Sequence, residues 1–295
     1  MPSGPSGRAP ILERQLGLLN QGLLLLTRQN PFYHGKLAGI VLPLSSMSDY
    51  QRLPFTTKSE LVENQGANPP YGTNLTFAAS SYTRIHSTSG TTGRRLKVLD
   101  TEESWEWFTH CWQRIYRVFG IGPGDRVFAA FGFGPFVGFW AGFEAAHQVG
   151  AQAIPGGAQS SLQRLDAILE CGATVLLATP TYALRLAEVA RENGIDIAGS
   201  AVRATIHAGE PGASIPATRA LIESAWSARV WDHAGLSEVG AWGYECPAGD
   251  GMHALESEFV AEVLEVGGDS EVGEDQTGEL VLTNLGRWAA PVVRY

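Results

Sequence analysis

Four short apolar runs alternate with helix-forming stretches over the middle of the chain, and this alternation constrains the fold more than any other feature. Arg126 to Phe131, Thr174 to Ala178, Ala204 to His207 and Val230 to Asp232 read as buried strands. Between and around them, Val137 to Gln148, Leu162 to Leu169, Tyr182 to Glu192 and Pro216 to Trp226 read as helices. Strand and helix in turn demand crossover connections, which are right-handed and give a largely parallel sheet with helices on its faces. The fold class expected is therefore α/β. In such a sheet, ligands bind beyond the carboxyl ends of the strands. The segments that follow the strands carry Phe131, Phe133, Gly134 and Phe136; Thr179 and Pro180; Gly209, Glu210 and Pro211; and His233 to Glu238.

The regular part begins earlier, near Ser80. Tyr82 to His86 and Leu96 to Leu99 read as a strand and its return. Asp100 with Glu103 resembles a helix N-cap with its partner, opening a helix whose Trp105, Phe108, Trp112, Ile115 and Phe119 fall on one face. Upstream, residues 1–10 are rich in Pro, Ser and Gly and read as a loose tail, and residues 11–79 as helical and irregular. There Leu16, Leu19, Leu23 and Leu26 form an apolar stripe. Residues 80–238 read as the α/β core. After it, 239–295 reads as a β subdomain built on Phe259 to Val266 and Glu279 to Leu285, with Pro291 to Tyr295 starting a further strand that is cut short.

Composition excludes several functions. With 21 Lys and Arg against 30 Asp and Glu the net charge is −9, which argues against nucleic acid or an anionic membrane as partner. The apolar stretch Leu16 to Leu26 is interrupted by Asn20 and Gln21 and is too short to span a bilayer. Three cysteines, Cys111, Cys171 and Cys246, make no disulfide framework and fit a reducing, cytoplasmic setting. The oligomeric state is left open.

The segment Ser87-Thr88-Ser89-Gly90-Thr91-Thr92-Gly93-Arg94-Arg95 combines glycines, hydroxyls and two arginines. It is either a phosphate cradle or a flexible turn between strands; it is not a Walker loop. Cys246 and His253 flank Pro247 to Gly251. They are either half of a zinc site or a thiol and an imidazole on a hairpin. Glu238 read alone is a solvated loop acid or a helix N-terminal carboxylate. The aromatic run from Phe131 to Trp140 is either pocket or core. His207, at the end of an apolar strand, reads as packed and hydrogen-bonded, and His233 as a satisfied histidine.

Thr88-Ser89-Gly90-Thr91-Thr92-Gly93 resembles the phosphate loop of the adenylate-forming superfamily. Leu53 to Leu61 (Leu-Pro-Phe-Thr-Thr-Lys-Ser-Glu-Leu) is similar to the phenylacetate–CoA ligase branch. So, in order, are Gly209-Glu210-Pro211, Gly235-Leu236-Ser237-Glu238, Gly278 to Val281 and Pro291 to Tyr295. The resemblance implies that ATP activates a carboxylic acid, expected to be aromatic, as an acyl-adenylate, and that the thiol of coenzyme A then accepts the acyl group. It implies that Thr88, Ser89, Gly90, Thr91, Thr92 and Gly93 grip the β- and γ-phosphates, with Thr88 and Glu238 as catalytic residues. Glu238 binds Mg²⁺; Gly209, Glu210 and Pro211 line the adenine slot beside Asp232 and His233; and Phe131, Phe133, Gly134, Phe136 and Ala234 form the acyl pocket. Two departures accompany it. Ala234 stands where the family carries an aromatic residue that stacks on adenine. After Tyr295 the family continues into a ribose-binding segment and a mobile C-terminal lid domain with a catalytic lysine, whereas this chain holds only Lys36, Lys58 and Lys97. The chain is therefore expected to be the large N-terminal domain, inactive or weakly active alone. Two alternatives stay open: a carrier-protein thiol as acceptor, or a non-catalytic nucleotide-binding module.

Overall fold

The computed structural model describes residues 5–88, 95–249 and 251–295, with the main chain alone for residues 5 and 6. In chain order the elements are α1 (Pro5–Gln29), α2 (Pro31–Lys36), α3 (Met47–Tyr50), α4 (Lys58–Ala67), β1 (Arg84–Ser87), β2 (Lys97–Asp100), α5 (Glu102–Val118), β3 (Arg126–Ala129) and α6 (Trp140–Gln148). There follow β4 (Gln152–Pro155), α7 (Ser161–Glu170), β5 (Val175–Ala178), α8 (Pro180–Glu192), β6 (Ala204–His207), α9 (Pro216–Trp226) and β7 (Arg229–Leu236). The last four are β8 (Gly240–Glu245), β9 (Met252–Ala254), β10 (Phe259–Leu264) and β11 (Glu279–Asn284). Two compact units interleave in sequence, where composition suggested consecutive segments. The first takes residues 1–107, 237–242 and 254–295; the second takes 108–236 and 243–253.

The second unit carries the large sheet, in the order β4-β3-β5-β6-β7-β8-β9. β4, β3, β5, β6 and β7 run parallel in sequence register, Val127 opposite Val175 and Ile206 opposite Trp231. Every residue of β5 and β6 is buried, as expected of strands covered on both faces. Phe128, Leu176 and Val230 of the sheet pack with Leu165 of α7, Leu186 of α8, and Ile222 and Trp226 of α9. The loops at the carboxyl edge of the parallel strands carry Phe131 to Phe136, Thr179, Gly209 to Pro211 and, after β7, Ser237 and Glu238. β8 returns after three residues, too short a connection for a parallel crossover.

In the first unit the leucine stripe works as expected. Leu19, Leu23 and Leu26 of α1 are fully buried with Tyr33, Tyr50, Val260 and Leu285. The tail expected over 1–10 is corrected for Pro5 to Pro10, which form the first turns of α1. The Arg8 guanidinium reaches Glu256 at 3.2 Å. β10 and β11 pair antiparallel from Phe259 opposite Asn284 to Leu264 opposite Glu279. Pro291 to Tyr295 runs alongside β11, Tyr295 and Leu282 exchanging both main-chain bonds at 2.9 Å, but it is not a regular strand. Arg294 has φ +45°, and this turns its side chain inward onto Glu262 at 3.0 and 3.1 Å and the Leu53 carbonyl at 2.9 Å. Among the described residues no helix is long and apolar enough to cross a membrane.

Candidate functional site

The hydroxyl-rich segment sits on a hairpin. β1 and β2 pair antiparallel, Ser87 opposite Lys97, and Thr88 closes the stem. Its amide donates to the Leu96 carbonyl at 2.9 Å, and its hydroxyl accepts from the Leu96 amide at 3.1 Å. Thr88 is thus buried and committed to the stem. Ser89, Gly90, Thr91, Thr92 and Gly93 lie outside the described residues.

Glu238 belongs to the same unit. It lies in the three-residue turn between β7 and β8 and is only 5% exposed, unlike a solvated loop acid. Lys58 Nζ stands 2.9 Å from its Oε1, and the Tyr295 hydroxyl donates to the same oxygen at 3.2 Å. Burial and the adjacent carboxylate push the Tyr295 phenol well up, so it stays a donor. Local sequence explains how these partners arrive. Thr57 caps α4, accepting from the Glu60 amide at 3.2 Å, while the Glu60 carboxylate accepts from the Thr57 amide at 2.8 Å. This reciprocal box fixes Lys58 at the first helical position. The Thr56 amide donates to the Arg294 carbonyl at 2.9 Å, which brings Tyr295 alongside. A cavity lined by Leu61, Leu96, Val98, Glu238 and Pro291 joins the hairpin stem to Glu238. Lys58 as the partner of Glu238 was not foreseen. Its motif was visible, but nothing in local spacing marks a contact between such remote residues.

The second unit holds the other residues singled out by sequence. Gly209 has φ +91°, which lets the chain turn sharply after β6. Glu210 turns back onto α8, accepting from the Thr181 amide and hydroxyl at 2.9 and 2.5 Å. Burial raises its pKa, but these bonds outweigh that and leave the carboxyl below the usual range. Pro211 is exposed beside it. β7 extends to Leu236, so His233 and Ala234 are strand residues rather than loop residues. His233 is buried, with its Nδ1 2.7 Å from the Gly243 carbonyl and its ring 4.2 Å from that of Trp112. Burial pushes its pKa down to about 4. Burial pushes the Asp232 carboxyl up, against hydrogen bonds from Ser214 and the His233 amide. His207 is fully buried between the Ala178 carbonyl and the Thr205 hydroxyl, and burial brings it down to about 4.

The aromatic run divides. Phe139 is buried, and the rings of Phe131 and Phe133 lie tilted with centroids 4.0 Å apart. Phe133, at φ +46°, meets Trp140 and Phe143 edge-on. The Gly134 carbonyl accepts from the Trp140 indole at 3.2 Å. Phe136 is 41% exposed and is the ring presented to solvent. Among the described residues no group of three or more His, Cys, Asp or Glu side chains is placed to hold a metal ion at Cys246 and His253. The zinc expectation is dropped, because two ligands leave a tetrahedral site half built.

The chain is 30% identical over 255 residues to the phenylacetate–coenzyme A ligase of Pseudomonas putida, and 30% identical over 253 residues to that of Escherichia coli K12. Those alignments cover 85% and 84% of this chain and 56% of each relative. A solved 2-hydroxyisobutyryl-CoA ligase, in complex with 2-HIB-AMP and CoA in the thioesterification state, superposes with a TM-score of 0.92 at 30% identity. It covers 99% of this chain and 63% of that one. The chain belongs to the phenylacetate–CoA ligase family. No family model matches it. This member of the family spans a little over half the length of the curated relatives it matches, and it shares with the adenylate-forming ligases the parallel sheet and the added antiparallel pair.

Proposed function

We propose that the protein activates a small carboxylic acid with ATP, releasing pyrophosphate, and transfers the acyl group from the resulting acyl-adenylate to the thiol of coenzyme A. The observation that carries this reading is the environment of Glu238. A buried carboxylate is costly without a cation beside it, and here Lys58 supplies one at 2.9 Å. The site is built for negative charge that is neutralised locally, and a divalent cation is a suitable replacement for the ammonium. A single hard carboxylate with phosphate oxygens is the usual protein share of a Mg²⁺ site. When bound, Mg²⁺ neutralises charge on the transferring phosphates.

In this reading the chain's own residues bind and orient. Thr88 fixes the stem from which Ser89, Gly90, Thr91, Thr92 and Gly93 hold the β- and γ-phosphates. Gly209, Glu210 and Pro211 border the adenine with Asp232 behind them. His233, neutral and buried, supports the strand and does not touch ligand. The acid carboxylate attacks the α-phosphorus, the bond to the β-phosphate oxygen breaks, and pyrophosphate leaves. Orientation of these groups is the main catalytic contribution. An aromatic acid is the favoured substrate, since Phe131, Phe133 and Phe136 offer ring faces and edges, Phe136 to solvent. Three cysteines without a disulfide suit a reducing cytoplasm.

The test is Glu238→Gln. ATP affinity measured calorimetrically in Mg²⁺ and in EDTA should differ for the native chain and become equal for the variant. The fold should persist, because glutamine keeps the side-chain shape, can still accept from the Tyr295 hydroxyl, and leaves Lys58 39% exposed to solvent. Undiminished metal dependence in the variant would remove Glu238 from the mechanism.

A further inference from the structure

Glu238 is held from behind as well as through its carboxylate. On its N-terminal side the Ser237 carbonyl accepts from Arg287 Nη1 at 2.6 Å. On its C-terminal side the Val239 carbonyl accepts from Asn284 Nδ2 at 3.2 Å. Both donors come from β11 and the loop after it, so one short segment grips the backbone on each side of the carboxylate.

Arg287 is itself fixed. Its Nε and Nη2 donate to Asp100 Oδ1 and Oδ2 at 2.7 and 2.6 Å, and both side chains are 0% exposed. Asp100 is the last residue of β2, the return strand of the hairpin that carries the hydroxyl-rich segment. The expectation that Asp100 caps α5 is corrected by this pairing; Thr101 takes the capping role, its hydroxyl accepting from the Ser104 amide at 3.3 Å. The loop bearing Arg287 has little freedom. A Cβ on Gly286 would lie 2.2 Å from the Trp107 ring, and the Trp107 indole donates to Glu258 at 2.9 Å.

We propose that Arg287, braced by Asp100, is a positioning residue that ties the Glu238 backbone to the phosphate-loop hairpin and sets where the carboxylate meets a bound cation. This rests on the reading of Glu238 as the metal anchor. The guanidinium suits the task because its planar fork satisfies a carboxylate and a carbonyl together, which an ammonium at the same place does not. With Asp100 it forms a neutral pair, so it orients Glu238 without adding net charge to the site. Partners of this kind, one layer behind a metal ligand, typically govern metal affinity by about 10- to 100-fold.

The experiment compares ATP affinity in Mg²⁺ and in EDTA for four versions of the full chain: native, Arg287→Lys, Glu238→Gln and, as control, Arg203→Lys. Arg203 makes the same kind of fork in the second unit, to Asp125 at 3.0 and 2.8 Å and to the Gly120 carbonyl at 2.8 Å. A merely structural role for such a fork would leave the metal increment of both lysine variants native. The expected result is that Arg287→Lys lowers the Mg²⁺ increment by about 10- to 100-fold, with the metal-free affinity changed far less, while Arg203→Lys leaves the increment unchanged. A native increment in folded Arg287→Lys, with the increment lost in Glu238→Gln, would overturn the positioning role and leave the metal anchor standing. A native increment in Glu238→Gln would overturn both. If Arg287→Lys does not fold, the charge-neutral double variant Asp100→Asn with Arg287→Gln decides by the same two criteria.

Discussion

Ala234 places a methyl group where the family resemblance implies an aromatic ring. It is half-buried on β7, and the residue nearest to it on β8 is Gly243, where a Cβ would lie 3.0 Å from Ala234 Cβ and 3.1 Å from Met252. A ring at position 234 can lie along the bare glycine backbone, with flexible Met252 yielding. Stacking of a base on an aromatic side chain contributes about 1–3 kcal/mol. Ala234→Tyr is therefore expected to tighten AMP binding by on the order of tenfold or more, measured calorimetrically. Unchanged affinity would place the base elsewhere. Lys58 shows the opposite case of legibility at this scale. Its motif was plain in the sequence, but its contact with Glu238 was not, because no periodicity links two residues brought together only by tertiary folding.

Secondary elements were legible where burial follows a simple period. The run Ala204 to His207 and the stretch Pro216 to Trp226 form β6 and α9 with those boundaries, since both are governed by local pattern. β4 was missed because Gln152 and Pro155 are exposed and no residue of the strand is fully buried; such an edge strand carries neither alternation nor an apolar run. Asp100 was misread because an acidic residue before a helix looks the same whether it caps the helix or meets an arginine near the other end of the chain. Tight element packing also leaves a testable mark. The loop after β11 passes so close to Trp107 that a methyl at position 286 has no room. Gly286→Ala should destabilise the protein by about 1–3 kcal/mol, the usual cost of overpacking a filled core, read as a lower urea midpoint with an unchanged slope. A native midpoint would mean that the Trp107 ring moves aside freely.

At the scale of the molecule, the two histidines buried against main-chain carbonyls set how folding responds to acid. His207 and His233 both have pKa values pushed down to about 4 by burial, against an ordinary value near 6.5 in the unfolded chain. Between those values the unfolded chain takes up protons that the folded one refuses. Stability therefore rises with pH in this window and falls as the solution is acidified. Each histidine is expected to cost about 1.5 kcal/mol between pH 6.5 and pH 5, the slope approaching about 1.4 kcal/mol per pH unit once the unfolded ring is fully protonated. His86, whose pKa burial also lowers, adds to the same slope. Neither can be spared at neutral pH: His207 bridges two strands through the Ala178 carbonyl, and His233 joins β7 to the Gly243 carbonyl of β8. The fold thus keeps two neutral donors inside the sheet. Urea midpoints recorded from pH 7 to pH 5 should fall steadily for the native chain, and His233→Asn, less stable at pH 7, should show a shallower slope than the native chain. A midpoint independent of pH would mean that both rings can be protonated in the folded state and that the sheet opens to water around them.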